Sequence, residues 1–431
     1  MDTCFALVDC QNFYASCERV FDPALRERPV AVLSNNDGCV IARSEEVKAA
    51  GVPMGAPHFK WEGELAAMNT AVLSSNYALY GDLSRRVVSI LKEEALEVER
   101  YSIDECFITL PALERDHLHA VGNTIRRKVL RWLGIPIRVG IGPTKTLAKV
   151  ADENAKARKR AGWGQGVYVC PEEPKREELL QCVLVGDIWG IGSAYEETLH
   201  ERGVVSAAEF RALPDPWIRS EMTAQGLRTA RELRGRSCLD LELVRPQGSP
   251  TARKTLVRSR SFGGRVETKK NLHQALAKHS QRAAEKLRQE GLVAKGIKAF
   301  ITTKRFGGPP YYSNGIAGSL PAYTARAARF VKASRRLLEP IYRDGYGYKK
   351  AGVCLYNIRP SRPHQESLFG RHREEDEALM DAVDQITREH GKSALNLAAV
   401  GMPSGRDWTM KRQNRSPRYT TRWDELPIAE V

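Results

Sequence analysis

The order of apolar and amphipathic segments in the first 166 residues restricts the fold more than any other feature. An apolar run at 5–8 predicts a strand, and an amphipathic helix at 83–96 leads into a second apolar strand. A further helix at 118–132 precedes the β-rich run IPIRVGIG and a last helix. Strand, helix, two strands, helix and strand form the split βαβ arrangement, so we expect an α+β domain interrupted by an insertion.

Three acidic residues lie where these strands end. Asp9 follows the first apolar run, and Asp104 and Glu105 are adjacent in YSIDECF. Neighbouring side chains of a regular strand point to opposite faces, so both acids can serve one site only where a strand ends or turns. Three carboxylates suit Mg²⁺, and a two-metal site would support attack by a 3′ hydroxyl and departure of pyrophosphate. The alternative is that the Asp-Glu pair merely caps a hairpin, since turns favour Asp.

Length and cysteine usage set the broad class. The chain has 431 residues, which predicts two to four domains. Its nine cysteines are odd in number and include no C-x-x-C pair, so we expect reduced thiols and neither a disulfide framework nor a zinc site. The absence of a long apolar run or a signal-like start predicts a cytoplasmic protein without a membrane partner.

Positive charge is concentrated in one part of the chain. The net charge is +15, and residues 241–360 contain 25 Lys and Arg against 6 Asp and Glu, so the rest of the chain is slightly acidic. A basic stretch of domain size is typical of a surface that meets phosphates. A generically basic solvated surface is the alternative.

Eight motifs lie in order along nearly the whole chain. They are VDCQNFYASCE, SNNDGCVIAR, SSNYALYGD, YSIDECF, IGPTKTLAK, DIWGIG, RSFG and SPRYTTR. Together they resemble the UmuC type of Y-family translesion DNA polymerase. The resemblance implies a multidomain α+β right hand with a ferredoxin-like palm, small fingers, a helical helix-hairpin-helix thumb, an α/β little finger and a flexible C-terminal tail. The implied boundaries are 1–21 and 75–166 for the palm, 22–74 for the fingers, 167–240 for the thumb, 241–357 for the little finger and 358–431 for the tail.

The resemblance implies a metal site and a sugar gate. Asp9, Asp104 and Glu105, with the backbone carbonyl of Cys10, would bind two Mg²⁺ ions. Tyr14 would act as a steric gate whose ring leaves no room for a ribose 2′ hydroxyl.

Further residues are implied around the incoming nucleotide. We assign Phe13, beside the sugar site, to core packing. The remaining candidates are Cys39 and Ile41 as a small roof over the nascent base pair, and Arg43, Lys48 and Lys156 near the triphosphate. Lys48 stands where some relatives have Arg, and Lys cannot imitate the bidentate contact of a guanidinium.

DNA contacts are expected from two regions. Gly190 and Gly192 resemble the turn of a helix-hairpin-helix, where backbone amides approach a phosphate. A helix-terminating turn is the alternative for so short a motif. In the little finger the candidate phosphate contacts are Arg253, Lys254, Arg258, Arg260 and Arg265.

The tail contains one short motif. Gln365, Leu368 and Phe369 resemble the Q-x-x-L-F peptide that binds the bacterial sliding clamp, and they offer an exposed apolar pair on a polar segment. The role of the SPRYTTR block at 416–422 does not follow from the sequence.

The predicted function is error-prone translesion synthesis in SOS mutagenesis. The resemblance implies primer-template DNA, dNTPs, a cleaved UmuD-like dimer, a RecA filament and the sliding clamp as partners. Two alternatives stay open. A catalytically silent DNA-binding accessory protein of DNA repair would explain the charge, and a nucleotidyl cyclase would explain the acids.

Overall fold

The computed structural model describes residues 3–161, 166–243, 254–304, 311–361, 373–391, 394–402 and 408–426. The chain divides into two compact units. The first unit comprises Met1–Ser34, Gly38–Val244 and Asn414–Val431, and the second comprises Asn35–Asp37 and Arg245–Gln413. None of the helices in the described stretches is long and apolar enough to span a bilayer.

A five-stranded sheet organises the first unit. The strands of this unit are β1 (Thr3–Cys10), β2 (Val30–Leu33), β3 (Val40–Arg43), β4 (Ala71–Ser74), β5 (Glu97–Arg100), β6 (Glu105–Pro111), β7 (Ile137–Gly142) and β8 (Val167–Val169). The sheet has the order β5-β6-β1-β7-β8, in which β1 is antiparallel to both β6 and β7 and β8 is parallel to β7. β8 extends this sheet beyond residue 166, where the sequence-based boundary ended the palm.

Helices cover both faces of this sheet. The α-helices described in the first unit are α1 (Phe13–Phe21), α2 (Glu45–Ala49), α3 (His58–Ala67), α4 (Tyr77–Glu94), α5 (Arg115–Leu133), α6 (Lys145–Arg160), α7 (Lys175–Gln181), α8 (Ser193–Glu201), α9 (Ala207–Ala212) and α10 (Asp215–Leu233). Ala6 and Val8 of β1 pack with α4 and α5, whereas Phe5 and Leu7 share a small core with Ala148 of α6. Burial on both faces explains why β1 is a continuous apolar run without polar alternation.

Two glycines of β7 bring α6 close to the sheet. A Cβ on Gly140 would lie 2.2 Å from the backbone nitrogen of Asp152, and a Cβ on Gly142 would lie 2.9 Å from that of Ala148. Only glycine permits this approach. The run IPIRVGIG therefore fixes the height at which α6 crosses the sheet, and with it the position of the side chains that α6 directs toward the strand ends.

The insertion after α1 forms a small second sheet. Its order is β3-β2-β4, with β2 antiparallel to β3 and parallel to β4. Its own core includes Leu33, Val40, Val47 and Leu65. The inserted segment therefore has a hydrophobic cluster of its own.

Helices α7 to α10 form the helical part of the first unit. Leu180, Phe210, Ile218 and Met222 are fully buried between them. Glu232 of α10 is buried and fastens this part to α6, because its carboxylate accepts hydrogen bonds from the backbone nitrogens of Thr146 at 2.9 Å and Cys238 at 2.8 Å.

The second unit is a four-stranded antiparallel sheet with helices. Its elements are β9 (Thr255–Val266), α11 (Lys269–Gln289), β10 (Leu292–Thr303), β11 (Ser313–Thr324), α12 (Ala327–Leu338), β12 (Tyr348–Pro360) and α13 (Arg373–His390). The strand order is β11-β10-β12-β9. Leu276 of α11 and Phe330 of α12 pack with Ile297 and Val353 of the sheet. This is the α/β arrangement expected of the little finger.

Part of the C-terminal tail forms regular structure and packs on the first unit. Within 358–431 the chain forms α13, and Asn414–Val431 is assigned to the first unit although the preceding segment belongs to the second. The backbone of Ser74, at the end of β4, donates to the carbonyl of Asn414 at 2.8 Å.

We predict that His279 makes the second unit sensitive to acid. It is buried on α11 near Arg258 and Arg260, and its Nε2 is among the buried polar atoms without a hydrogen-bond partner in the described residues. Burial, reinforced by Arg260, Lys278 and Arg258, lowers its pKa from 6.5 to about 4. The unfolded chain therefore binds the extra proton first as pH falls, and stability is lost between about pH 6.5 and 4.

The expected loss is about 2 to 3 kcal/mol of unfolding free energy. Denaturant unfolding of the whole chain, followed at neutral pH and at about pH 4.5, should show this loss in the wild type. His279→Gln removes the titrating group and should lose correspondingly less. Equal pH dependence in the two proteins would refute the assignment.

Candidate active site

The sheet brings the three predicted acids to one edge. In the antiparallel register of β1 and β6, Asp9 lies directly opposite Glu105. The backbone nitrogen of Cys10 donates to the carbonyl of Asp104 at 2.9 Å, so the turn that contains Asp104 is fastened to the end of β1. Asp9 and Asp104 are 95 positions apart in sequence, and the pairing of β1 with β6 brings them together.

A serine-stabilised turn explains how two adjacent acids can serve one site. Asp104 precedes β6, and Glu105 is its first residue. The Ser102 hydroxyl accepts hydrogen bonds from the backbone nitrogens of Asp104 at 3.1 Å and Glu105 at 2.9 Å, and it donates to Asp104 Oδ1 at 2.5 Å. Because Asp104 lies outside the strand, strand alternation does not force it to the opposite face. The turn that would cap a hairpin is therefore the same turn that places Asp104 and Glu105 at the candidate site.

Asp9 has a partner that the sequence motifs did not indicate. Arg138 of β7 is its cross-strand neighbour, and the guanidinium donates to the Asp9 carboxylate and, at 3.1 to 3.2 Å, to both oxygens of Asp152 on α6. Burial raises the pKa of Asp9 to about 7, with Arg138 opposing this and the carboxylates of Asp152, Glu105 and Asp104 adding to it. The neighbouring carboxylates raise the pKa of Arg138 despite its burial.

Glu105 is held by a lysine within an aromatic cluster. Lys149 of α6 donates to Glu105 Oε1 at 3.0 Å and lies 4.8 Å from the ring centroid of Tyr101 and 5.7 Å from that of Trp189. Trp189 Nε1 donates to the Tyr101 hydroxyl at 3.0 Å. Favourable contacts between the ammonium and these rings keep Lys149 beside Glu105, and they join the turn before α8 to the acidic edge.

The donor chemistry of this edge suits a hard divalent cation. Its acceptors are carboxylate oxygens and, at the end of β1, the carbonyl of Cys10. Among the described residues, no three His, Cys, Asp or Glu side chains converge closely enough to hold a metal ion as they stand. Arg138 and Lys149 each place a positive charge beside an acid that a bound cation would otherwise neutralise.

The two aromatic residues that begin α1 have different environments. Phe13 is buried in the core, as expected. Tyr14 is half-buried and stacks on Tyr80 of α4, with ring centroids 4.4 Å apart and planes 14° apart, and Tyr77 meets it edge-on at 6.0 Å. Burial raises the pKa of the Tyr14 hydroxyl to about 12, so it is neutral at physiological pH. Contacts with Tyr80 and Tyr77 therefore hold the ring, while Tyr14 remains half-buried.

Strand alternation places three predicted residues on one side of β3. Val40 and Ala42 are buried, whereas Ile41 and Arg43 are half-buried on the opposite face. Cys39, immediately before β3, is also half-buried and bridges to Pro57. The Arg43 side chain donates to the carbonyl of Val52, so it is already engaged within the fingers.

Lys159 joins the two lysines, Lys48 and Lys156, that were predicted to lie near the triphosphate. Lys48 of α2 donates to the side chain of Asn12 and, at 3.1 Å, to Glu45. Lys156 pairs with Glu153 of its own helix at 2.9 Å. Lys159, which the motifs did not indicate, donates to Gln11 Oε1 at 2.6 Å, and its pKa is lowered by burial and by nearby cations including Lys48.

Gly190 and Gly192 lie in the turn that precedes α8. Gly190 has a φ of +93°, a left-handed conformation that favours glycine, and Gly192 is the N-cap residue immediately before α8. Open space surrounds the Cβ position of Gly192.

The little-finger cations that the structure describes are exposed on the edge strand β9. They are Lys254, Arg258, Arg260 and Arg265. Arg258 and Arg260 share a face with the buried Leu256 and Phe262, which pack with α11. Arg253 and the clamp-peptide residues Gln365, Leu368 and Phe369 lie outside the described residues.

Comparison with known proteins assigns the family. The sequence model of the impB/mucB/samB family matches residues 8–153, and that of its C-terminal domain matches residues 253–368. Protein ImpB of Salmonella typhimurium is 40% identical over 99% of the chain and 100% of its own length, and protein UmuC of the same species is 40% identical over 98% and 99%. The chain belongs to the impB/mucB/samB family. Residues 377–429 match a domain of unknown function, DUF4113.

Solved structures agree on the fold. A Y-family DNA polymerase chimera of Dbh and Dpo4 superposes with a TM-score of 0.64 at 20% identity, covering 82% of this chain and 99% of its own. The insertion ternary complex of Dbh DNA polymerase gives a TM-score of 0.54 at 18% identity over 83% and 99%. The UmuC-type resemblance and the multidomain α+β polymerase fold expected from the motifs are both confirmed.

Arg138, Asp152 and Lys159 lie outside the motifs, and Lys149, the last residue of IGPTKTLAK, was not among the predicted site residues. Arg138 lies within the apolar run of β7, and the spacing of Lys149, Asp152 and Lys156 on α6 places them on one helical face. That spacing and the glycines of β7 were the sequence features that could have indicated these residues. They identify the partners of the acids only when the register of β1 and β7 is known.

Proposed function

We infer that the chain is an error-prone DNA-directed DNA polymerase that carries out translesion synthesis in SOS mutagenesis, and we propose that its reaction takes place at the acidic edge of the β1–β6 pair. The observation that carries this proposal is the direct pairing of Asp9 with Glu105, with Asp104 in the turn that precedes β6. Family membership and the Y-family fold support it.

The family implies a divalent-metal-dependent enzyme. We assign two Mg²⁺ ions to Asp9, Asp104, Glu105 and the carbonyl of Cys10. When bound, such ions activate an attacking 3′ hydroxyl and stabilise the charge on the leaving pyrophosphate. Burial raises the pKa of Asp9 to about 7, and the neighbouring carboxylates of Asp152, Glu105 and Asp104 add to this; a bound cation would favour the charged carboxylate.

Arg138 and Lys149 hold the acidic side chains in position. The Arg138 guanidinium bridges Asp9 and Asp152, while Lys149 fixes Glu105 against the aromatic cluster. Both cations restrain their partners before substrate arrives, and such preorganisation lowers the cost of assembling a site for phosphoryl transfer.

The nucleotide lies between α1, β3 and α6 in this assignment. Tyr14 presents its ring to the sugar, supported from behind by Tyr80. Lys48 and Lys156, with Lys159 as an addition, are positioned to neutralise the triphosphate, whereas Arg43 has a backbone partner in the fingers. Cys39 and Ile41 form a small roof over the base pair, whose few contacts would tolerate a damaged template base.

DNA binding relies on backbone phosphate contacts. The amides beside Gly190 and Gly192 and the exposed cations of β9 grip phosphates without reading sequence. The Dbh structures that match the fold include ternary complexes, which supports primer-template DNA and dNTPs as ligands. A cleaved UmuD-like dimer, a RecA filament and, through residues 365–369, the sliding clamp are proposed partners in the cytoplasm.

Primer-template affinity should fall steeply with salt. If about four cations neutralise phosphates, a fourfold rise in salt concentration weakens binding about 100-fold. The double variant Arg258→Ala/Arg260→Ala should reduce the slope of log affinity against log salt by about two, measured by fluorescence anisotropy with labelled DNA. Arg131→Ala, an exposed cation on α5, is the matched control. A flat salt response would contradict phosphate tracking.

Primer extension on an abasic template with Mg²⁺ tests the function as a whole. A polymerase gives products whose length follows the template, a cyclase converts nucleotides without any template, and an accessory protein gives neither. The assay should include the UmuD-like dimer and RecA filament in one arm, so that a partner requirement is separated from absence of chemistry. Template-independent nucleotide turnover, or no extension in either arm, would contradict the proposal.

A further inference from the structure

The C-terminal segment Asn414–Leu426, here named the C-terminal strap, packs against α1 and α4 of the first unit. It lies within the region that matches a domain of unknown function. Asn414 and Ser74 exchange hydrogen bonds at 2.8 and 3.0 Å, and Arg415 forms a parallel bridge with Ser74. Tyr419 stacks on Phe21 of α1 with ring centroids 4.9 Å apart and planes 13° apart. The strap is therefore held by backbone pairing at one end and by an aromatic contact further along.

One buried amide joins the strap to α4. Asn76 is 1% exposed, and its Oδ1 accepts from the backbone nitrogen of Leu79, which caps the first turn of α4. Its Nδ2 donates to the Ser416 hydroxyl at 2.9 Å and to the carbonyls of Ser416 and Pro417 at 3.1 and 3.0 Å. A buried amide satisfied in this way fixes its neighbours, since losing a partner leaves an unpaired polar group.

Ser416 also lies near a buried acid. Glu18 of α1 is 1% exposed, and it lines the same small cavity as Ser416. The Tyr80 hydroxyl donates to Glu18 Oε1 at 2.5 Å. Tyr80 is itself fully buried, so this carboxylate is what orients its hydroxyl end.

The chain of contacts ends at the proposed sugar gate. The face of Tyr80 supports the ring of Tyr14 at 4.4 Å in a nearly parallel stack. Ser416 reaches α4, the helix that carries Tyr80, through the buried amide of Asn76, which is the N-cap of that helix. Tyr80 is fixed by its hydrogen bond to Glu18 and stacks on Tyr14. A displacement at Ser416 therefore passes to Tyr14 through buried groups with little room to relax.

We propose that the C-terminal strap positions the sugar gate, with Ser416, Glu18 and Tyr80 as positioning residues that hold the Tyr14 ring at the height which excludes a ribose 2′ hydroxyl. This inference rests on the proposed function of Tyr14. It assigns to the SPRYTTR block a part in substrate selection by the enzyme that carries it.

Sugar discrimination by single variants tests this role. The readout is the ratio of kcat/KM for a dNTP to that for the matching rNTP, measured on undamaged primer-template with the partners that activity requires. A loss of folded enzyme cancels in this ratio. Ser416→Ala should lower it roughly tenfold, Ser416→Thr should keep it close to wild type, and Arg422→Ala, an exposed strap residue paired with Asp424, should leave it unchanged.

A double-mutant cycle with Tyr14→Ala shows whether Ser416 acts through the gate. The double variant Tyr14→Ala/Ser416→Ala should discriminate no worse than Tyr14→Ala alone. Full additivity would overturn the inference, because the strap would then act elsewhere. Tyr80→Phe, which keeps the stacked ring and removes the hydroxyl, should lower discrimination in the same direction as Ser416→Ala, and it serves if Ser416→Ala does not fold.

The outcomes separate the two proposals. If Tyr14→Ala lowers discrimination while Ser416→Ala and Tyr80→Phe match wild type, the gate stands and the strap inference is overturned. If Tyr14→Ala itself discriminates like wild type, the gate assignment fails and the strap inference fails with it.

Discussion

Asp104→Asn should abolish template-dependent primer extension, lowering kcat/KM by at least about 1,000-fold. The substitution keeps the size of the side chain and an oxygen that can accept from Ser102, but it removes the negative charge at the turn before β6. Charge stabilisation is the main contribution that a site for phosphoryl transfer supplies. Single-turnover extension of a labelled primer with Mg²⁺ measures the loss directly.

A matched acid at the other end of β6 provides the control. Asp116 is exposed in the first turn of α5, beyond the end of β6 that is opposite Glu105. Asp116→Asn should extend primers at the wild-type rate, and both variants should keep the wild-type circular dichroism and DNA affinity. Residual extension above about a tenth of wild type by Asp104→Asn would exclude this acid from the catalytic site.

Tyr14→Ala should admit ribonucleotides, with a loss of sugar discrimination of about 100-fold or more. Removing the ring opens the space that a 2′ hydroxyl needs, while Tyr80 beneath it stays anchored to Glu18. Incorporation of one dNTP against the matching rNTP opposite the same template base is the measurement. The dNTP rate should change much less than the rNTP rate, because the excluded group is absent from a deoxyribose.

The tyrosine hydroxyl provides the matched control for the ring. Its pKa is raised to about 12, so it is neutral under assay conditions and contributes no charge. Tyr14→Phe retains the ring and should therefore retain discrimination. Equal discrimination by Tyr14→Ala and wild type would remove Tyr14 from the sugar site and leave the acids unaffected.

The side chains of Arg138 and Lys149 indicate how the site would change when metal ions bind. Arg138 and Lys149 neutralise Asp9 and Glu105 within the folded chain, which limits the cost of gathering several acids at one buried edge. Metal ions would take over part of that role. The aromatic cluster of Tyr101 and Trp189 keeps Lys149 in place, and it links the turn before α8 to the same edge.

Much of this architecture could be predicted from local sequence. The apolar runs predicted β1 and β7, and the adjacent acids predicted a strand end at residue 105, because side chains i and i+1 cannot share the face of a regular strand. The assignment of Phe13 to core packing also agrees with the structure. These features depend on short-range periodicity and stereochemistry, which one sequence contains.

The partners of the acids could not be predicted in the same way. Arg138 reaches Asp9 only because β7 pairs with β1 in one register, and Lys149 reaches Glu105 only because two glycines let α6 approach the sheet. Neither contact has a sequence spacing that distinguishes it from a solvated charge. Lys159 was missed for the same reason, since its contact with Gln11 spans 148 residues.

The sequence by itself determined three acids at strand ends, an aromatic pair after the first of them, and a basic stretch of domain size. Local residue types decide these, because donor identity and periodicity do not require knowledge of distant contacts. Only the tertiary structure decided which cations hold the acids and that the end of the chain returns to α1 and α4 behind Tyr14. Those outcomes depend on strand register, close helix approach and buried hydrogen bonds between residues hundreds of positions apart, and they are satisfied only in the folded chain.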